Sequence, residues 1–232
     1  MSSEAPPLTP SGTGETKAGE GRCQDRGTLI VVSAPSGAGK STLVHQVLQR
    51  DPHLRFSVSY TTRNARGTER NGVDYYFVSV AEFGAMRERG EFLESAQVHG
   101  FLYGTKRELV EQTLAEGYDA ILDIDVQGAA QIRHSLPGAV TVFILPPSRQ
   151  VLQSRLESRN LNEPSDIERR IRNAAEEVRT YNEFDYVIVN DDLERAAAAL
   201  LALIVGERHR PGRQRNAAQA IIDTFGGKPI HA

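Results

Sequence analysis

The sequence predicts an α/β fold: a parallel sheet flanked by helices, with a small α+β insertion. Short apolar runs rich in β-branched residues, typical of strands buried on both faces, alternate with stretches whose apolar residues repeat at helical spacing. The first of these runs is followed at once by a glycine-rich loop and then by a helical pattern. Strands that alternate with helices in this way indicate a parallel sheet covered on both faces.

The elements follow in order along the chain. Residues 1–26 are rich in Ser, Thr, Gly, Pro and Glu, so we expect a disordered tail that buries too little apolar surface to offset its ordering entropy. The apolar runs predicted to be strands of the sheet are residues 29–32, 120–122, 140–145 and 186–189. Within about 56–106, the segments 57–59 and 75–78 resemble short strands joined by a Gly- and Arg-rich loop, which indicates the insertion. Ile167, Ile171 and Ala174 mark one face of a later amphipathic helix.

Composition narrows the class of function. The chain has 232 residues, 39% hydrophobic, and its 27 basic and 30 acidic residues give a net charge of −3, which is no signature of a nucleic-acid binder. No apolar run approaches the roughly 20 residues that span a bilayer. A single cysteine, Cys23, excludes an internal disulfide framework and a cysteine-based zinc site. With no signal-like N-terminal segment, we expect a cytoplasmic protein with small-molecule partners, either a monomer or a homo-oligomer.

The strongest motif follows the first predicted strand. It nearly matches G-x-x-x-x-G-K-[ST], with Ala34 in place of the first glycine, for which we expect a negative φ. Backbone N–H groups of such a loop surround phosphate oxygens, and the next helix directs its positive N-terminal dipole at them. The alternative is a Gly- and Ser-rich turn with an incidental lysine, but the strand before and the helix after favour a nucleoside triphosphate site. The residues predicted to bind it are Ala34, Pro35, Ser36, Gly37, Ala38, Gly39, Lys40, Ser41 and Thr42.

Two further groups of residues suit a phosphorylated acceptor and a metal ion. Arg63 and Arg66 lie three residues apart, and Tyr75 follows, so that guanidinium groups and a phenol could bind one phosphate. A solvated basic loop is the alternative. Lys40 would reach the β- and γ-phosphates, while the Ser41 hydroxyl would ligate Mg²⁺. Asp123 ends an apolar run and is a second candidate Mg²⁺ ligand, directly or through water, although it could instead cap the next turn.

Five blocks of residues together resemble the guanylate kinase family. The similarity runs in order from about residue 28 to 215. The blocks are the phosphate loop; Ser-Val-Ser-Tyr-Thr-Thr-Arg at 57–63 with Arg66, Glu69, Gly72 and Tyr75; Phe-Leu-Glu-Ser-Ala-Gln at 92–97 with Tyr-Gly-Thr at 103–105; Asp-Ile-Asp-Val-Gln-Gly at 123–128; and Val-Ile-Val-Asn-Asp at 187–191.

The resemblance implies a transfer of the ATP γ-phosphoryl group to GMP, and to dGMP, with Mg²⁺. It assigns GMP binding to Ser36, Arg63, Asn64, Ala65, Arg66, Glu69, Tyr75, Glu94, Tyr103, Gly104, Thr105 and Asp125. Among these, Glu94, Thr105 and Asp125 would contact guanine. Ala65 stands where the family usually has proline, and Thr105 where many members have serine.

The same resemblance implies a short helical lid whose arginines close over ATP. It makes Lys40, Arg63, Arg155 and Arg170 catalytic, adds Arg159 to the ATP site, and brings Asn190 to the adenine. The predicted domains are a tail at 1–26, a P-loop core at 27–59, 107–150 and 177–232, a GMP-binding region at 60–106 and a lid at 151–176.

Two alternative functions remain: a non-catalytic guanylate-kinase-like interaction module, and a related P-loop kinase of another phosphorylated acceptor.

Overall fold

A five-stranded parallel sheet forms the centre of the protein. The computed structural model describes residues 26–98, 100–158 and 164–226. The strand order is β2-β7-β1-β8-β9, and every neighbouring pair is parallel. The strands are β1 (Leu29–Ser33), β2 (Leu54–Phe56), β7 (Asp119–Asp123), β8 (Val140–Leu145) and β9 (Tyr186–Val189).

Helices cover both faces of this sheet, as the alternating pattern predicts. All five residues of β1 are buried, because this strand lies in the middle of the sheet between two helical layers. One core cluster joins the sheet to α1 (Lys40–Arg50) and α7 (Leu193–Arg208), and a second joins it to α3 (Arg107–Ala115) and α4 (Val126–Ser135). The predicted α/β class is therefore confirmed, and all four apolar runs are strands of the sheet.

The insertion is a second, mixed sheet with a helix packed on it. Its strands, in the order β4-β3-β6-β5, are β3 (Tyr60–Thr61), β4 (Tyr76–Phe77), β5 (Phe92–Val98) and β6 (Phe101–Lys106). Helix α2 (Val80–Glu88) begins at a capping box formed by Ser79 and Glu82. Its Phe83 ring stacks on Phe92 with the ring centroids 4.5 Å apart, which anchors the helix to the sheet.

The predicted strand at 57–59 is wrong, because this segment connects the two sheets. The Ser57 N–H donates to the Ile121 carbonyl of the large sheet, whereas the Ser59 carbonyl accepts from the Tyr76 N–H of the small sheet. Its backbone hydrogen bonds are divided between two sheets, so no ladder forms, and the flanking strands β2 and β3 take its place. The strand predicted at 75–78 is shorter than expected and comprises β4 alone.

Two helices form the predicted lid region. They are α5 (Arg149–Glu157) and α6 (Pro164–Glu177), and they pack through Leu152, Leu156, Ile171 and Ala174. Arg159 and residues 1–25 of the tail predicted at 1–26 lie outside the described residues. The chain continues from α7 to a last described helix, α8 (Arg215–Thr224). No helix in the described part of the chain is long and apolar enough to cross a membrane. The predicted domain boundaries stay a prediction.

Candidate active site

The phosphate loop connects β1 to α1 at the carboxyl edge of the large sheet. Gly37 and Gly39 have φ values of 94° and 91°, in the left-handed region that glycine adopts without strain. Space is also short: a Cβ added at Gly37 would lie 2.8 Å from a methyl group of Leu156, and one at Gly39 would lie 2.5 Å from Nδ2 of Asn190. Both glycines are therefore required by conformation and by packing.

Lys40, the first residue of α1, forms an ion pair with Asp123. Asp123 ends β7 and pairs in register with Val32 of β1, so adjacent parallel strands deliver the loop and the carboxylate to the same edge. Burial lowers the pKa of Lys40 to about 8, and the nearby carboxylates of Asp125 and Glu177 oppose this shift. Ser41 follows Lys40 and also lines the cleft.

Arg155 and Asn190 stabilise the phosphate loop by hydrogen bonds to backbone carbonyls. Arg155 donates from Nη1 to the Ala38 carbonyl at 3.2 Å and from Nη2 to the Asn190 carbonyl at 3.0 Å. The buried Asn190 amide also donates to the Ala38 carbonyl, at 2.8 Å. These contacts hold the loop backbone in place. The adenine contact of Asn190 and the catalytic role of Arg155 stay predictions.

Helix α6 reaches the loop through Arg170 and Glu177. Arg170 donates to the Ser36 hydroxyl from Nη2 at 2.6 Å and from Nε at 3.2 Å. Burial raises the pKa of Glu177, and the backbone N–H of Ser36 acts in the opposite direction. Sequence reasoning missed Glu177, because a glutamate on the polar side of an amphipathic helix gives no signal that distinguishes it from a solvated one.

Glu69 organises the arginine loop. Its carboxylate accepts two parallel hydrogen bonds from the Arg63 guanidinium, at 2.8 and 2.9 Å, and a third from the Arg66 backbone N–H at 2.7 Å. The bonds to Glu69 raise the pKa of Arg63, while those from Arg63 lower the pKa of Glu69. The Arg63 guanidinium also lies 5.2 Å from the centre of the Tyr75 ring. Arg63 is therefore buried, oriented and charged.

The other residues of this loop are exposed. Asn64 contributes its backbone carbonyl, which accepts from Arg63 Nη1 at 2.7 Å. Ala65 and the Arg66 side chain are exposed to solvent. The structure thus separates a fixed arginine, Arg63, from an outer arginine, Arg66, although the sequence presents them as equivalent.

The two predicted guanine-reading carboxylates come from separate elements. Glu94 on β5 is only 4% exposed, and its Oε1 accepts from the hydroxyl of Thr105, its register partner on β6, at 2.6 Å. Burial raises the pKa of Glu94 to about 7, with Asp125 adding to the shift and Thr105 opposing it. Asp125 is the N-cap of α4 and accepts from the Gly128 N–H at 2.9 Å.

Tyr103 and Gly104 have different positions on β6. Tyr103 lines the cleft, and its ring contacts that of Tyr75 edge-on with the centroids 5.9 Å apart. A Cβ at Gly104 would lie 2.9 Å from a ring carbon of Phe92 and 3.0 Å from one of Phe83. The structure therefore explains Gly104 by the packing of the small sheet on α2.

One cleft of about 390 Å³ brings the two sides together. Several residues to which the sequence analysis assigned no role also line it: Ser59, Gln97, Gln127, Asn173 and Glu177. The predicted residues that line it are Ala34, Pro35, Ser36, Gly37, Gly39, Lys40, Ser41, Tyr75, Glu94, Tyr103, Asp123, Asp125 and Arg170. The phosphate loop, the Glu94 carboxylate of the small sheet and the Asp125 carboxylate at the start of α4 therefore face one common space.

A phosphate loop at the carboxyl edge of a parallel sheet, with a lysine at the start of the following helix, defines the class as a P-loop phosphotransferase. A family model described as guanylate kinase matches residues 26–207. The guanylate kinase of Koribacter versatilis is 50% identical over 187 residues, which cover 79% of this chain and 80% of that protein. The guanylate kinase of Nitrosomonas europaea is 49% identical over 197 residues, covering 85% and 98% respectively. The chain belongs to the guanylate kinase family.

A solved structure agrees with this assignment. The crystal structure of guanylate kinase from Anaplasma phagocytophilum matches with a TM-score of 0.73 at 33% identity. The match covers 90% of this chain and 99% of that chain.

Proposed function

We propose that this protein transfers the γ-phosphoryl group of ATP to GMP and dGMP, giving ADP and the nucleoside diphosphate. The observation that carries the proposal is the common cleft, in which the phosphate loop around Lys40 faces the buried carboxylate of Glu94 and the carboxylate of Asp125. Membership of the guanylate kinase family supports the same reaction.

Base selection follows from the hydrogen-bonding pattern of guanine. Guanine presents N1–H and an exocyclic N2–H₂ side by side, so one ionised carboxylate can accept from both. Adenine has an acceptor at N1 and no amino group at C2, which would leave the buried carboxylate of Glu94 unpaired. Thr105 already holds one oxygen of that carboxylate, which limits its rotation.

The transfer itself needs positioning and charge neutralisation. An oxygen of the GMP phosphate is already anionic, so it can attack the γ-phosphorus without a general base, and the bond to the ADP oxygen breaks. Arg63, held by Glu69, would bind the GMP phosphate, and Lys40 would bind the phosphates of ATP. Arg170 lines the cleft and donates to the Ser36 hydroxyl, and from there it would neutralise the charge of the phosphoryl group during transfer.

The oxygen donors present fit a Mg²⁺ ion held mainly by the nucleotide. Mg²⁺ usually takes one or two protein oxygens together with phosphate oxygens and water. The Ser41 hydroxyl and the Asp123 carboxylate line the cleft beside Lys40 and are the residues that would hold it. When bound, the ion offsets the negative charge of the ATP phosphates. In the described part of the chain, His, Cys, Asp and Glu residues form no cluster that could hold a metal on its own.

The intact phosphate loop argues against a non-catalytic interaction module. Gly37 and Gly39 keep the required backbone conformation, and Lys40 lies in the cleft. A kinase of a phosphorylated sugar would have no use for Glu94 and Asp125, because such an acceptor offers no guanine edge. Both features therefore support a catalytic protein with a guanine nucleotide as acceptor.

An acceptor screen tests the proposal. ADP release from MgATP would be measured with GMP, dGMP, AMP, CMP and UMP at equal concentrations. We expect turnover with GMP and dGMP and at most slow turnover with the other three. Equal rates for all five nucleotides, or ADP release that does not depend on an acceptor, would refute the proposed specificity.

A further inference from the structure

Gly128 lies where the two guanine-reading carboxylates meet. It is a buried residue in the first turn of α4, and its backbone N–H donates to Asp125 Oδ1 at 2.9 Å. On its other side, a Cβ added at this position would lie 2.6 Å from Oε2 of Glu94 and 3.1 Å from the carboxyl carbon. One glycine thus lies beside both carboxylates, of which Glu94 belongs to strand β5 and Asp125 caps α4.

The backbone conformation does not explain this glycine. Gly128 lies within the regular helix α4, where any L-amino acid fits and alanine is the better helix former. The constraint is space: the Glu94 carboxylate occupies the volume that a side chain at 128 would need. Ile124 closes another side of this volume, with its Cδ1 3.3 Å from the added Cβ.

Helix α4 is also held against strand β5, so it cannot easily retreat from a new side chain. Gln131 of α4 accepts from the Ser95 N–H at 3.1 Å and donates to the Ser95 carbonyl at 2.9 Å. Ser95 follows Glu94 on β5, which is the edge strand of the small sheet. Because both backbones are fixed next to the point of crowding, the end of the Glu94 side chain is the part that can move.

We propose that Gly128 is a specificity-determining positioning residue, which leaves room for the Glu94 carboxylate to face the guanine edge while its N–H orients Asp125. This inference rests on the proposed function, in which these carboxylates read guanine. In this proposal Gly128 does not contact the reacting atoms. A methyl group at 128 would push the Glu94 carboxylate towards the cleft and turn it away from Thr105, while the backbone N–H that binds Asp125 would remain.

The test is Gly128→Ala, with Gly84→Ala as the matched control. Gly84 also lies within a helix, α2, and a Cβ there meets nothing within 4 Å. We expect Gly128→Ala to raise KM for GMP by about tenfold to a hundredfold, because displacements near 1 Å have effects of that size. KM for ATP should stay within about twofold, the preference for GMP over AMP should fall, and Gly84→Ala should match the wild type on all three measures.

A double-mutant cycle separates displacement of Glu94 from other effects. In the Glu94→Ala background, Gly128→Ala should not change KM for GMP further, because the displaced carboxylate is absent. An unchanged KM for GMP in Gly128→Ala would overturn the inference, as would equal effects of Gly128→Ala in both backgrounds. Circular dichroism would show whether Gly128→Ala alone loses its fold. Such a loss would also overturn the inference, because the substitution would then disrupt the packing of α4 instead of displacing the Glu94 carboxylate. Failure of the wild type to phosphorylate GMP would instead refute the proposed function.

Discussion

The two sides of the cleft are built in different ways. The phosphate loop is one continuous segment: β1 delivers it, Gly37 and Gly39 shape it, and α1 starts at Lys40. The guanine side is assembled from β5, β6 and the start of α4, with Glu94, Thr105 and Asp125 brought together from three separate elements. The first side depends on local backbone conformation, whereas the second depends on how two sheets and a helix pack.

This difference predicts whether a substitution affects phosphoryl transfer from ATP or the binding and selection of the acceptor. A substitution in the phosphate loop should impair transfer for every acceptor, because the loop would act on ATP. A substitution on the guanine side should change acceptor affinity and selectivity and leave ATP binding intact. The four predictions below test this separation, from the largest expected effect to the smallest.

Lys40→Met should lower kcat by about 10²- to 10³-fold, the range measured when a charge-stabilising group is removed from an active site. Steady-state ADP release with GMP would measure it, with circular dichroism as a check on the fold. Lys106→Met is the matched control, because Lys106 forms an ion pair with Glu108 and does not line the cleft. A kcat close to that of the wild type would contradict the phosphate role of Lys40.

Glu94→Ala should raise KM for GMP by about tenfold to a hundredfold, which corresponds to the loss of charge-assisted hydrogen bonds. The ratio of kcat/KM for GMP to that for AMP should fall, while KM for ATP should not change. If discrimination between GMP and AMP survived this substitution, guanine would be read elsewhere.

The affinity for GMP should depend on pH through Glu94. Burial raises the pKa of its carboxyl to about 7, so the ionised form that accepts from guanine decreases as pH falls through 7. KM for GMP should therefore rise by about tenfold from pH 8 to pH 6, as expected for one titrating group. The GMP phosphate titrates nearby, so Glu94→Gln is the control: its pH profile should lack the Glu94 component. Identical profiles for both proteins would argue against this assignment.

Glu69→Gln should have the smallest effect. It removes the charge that binds Arg63 in two parallel hydrogen bonds, but the amide can still accept one of them. We expect the Kd for GMP to rise by about fivefold, the equivalent of one hydrogen bond of about 1 kcal/mol. Isothermal titration with GMP alone would check it, and an unchanged affinity would show that Arg63 is held without Glu69.

The same contrast explains how much of the site the sequence could predict. The phosphate loop could be predicted because its motif spacing, its glycines and the flanking strand and helix all lie within one short segment of the sequence. The acceptor residues Glu94 and Asp125 were indicated by resemblance, since an isolated glutamate gives no sign of burial. Glu177 gave no signal, and the block at 123–128 that contains Gly128 did not indicate what this glycine contacts, because both sets of contacts depend on where α6 and α4 pack.

The segment at 57–59 illustrates the same limit within the fold. Its alternating Ser-Val-Ser pattern is that of a strand, but tertiary structure divides its hydrogen bonds between two sheets. By itself, the sequence determined the α/β class, the strands of the core and the phosphate loop, because periodicity and glycine conformation act over a few residues. Only the tertiary structure decided which arginine of the acceptor loop is fixed, which carboxylates meet, and which glycine leaves room for them. Those outcomes depend on side-chain contacts that hydrophobic periodicity does not encode, and burial and hydrogen bonding act on such contacts only after the elements have packed.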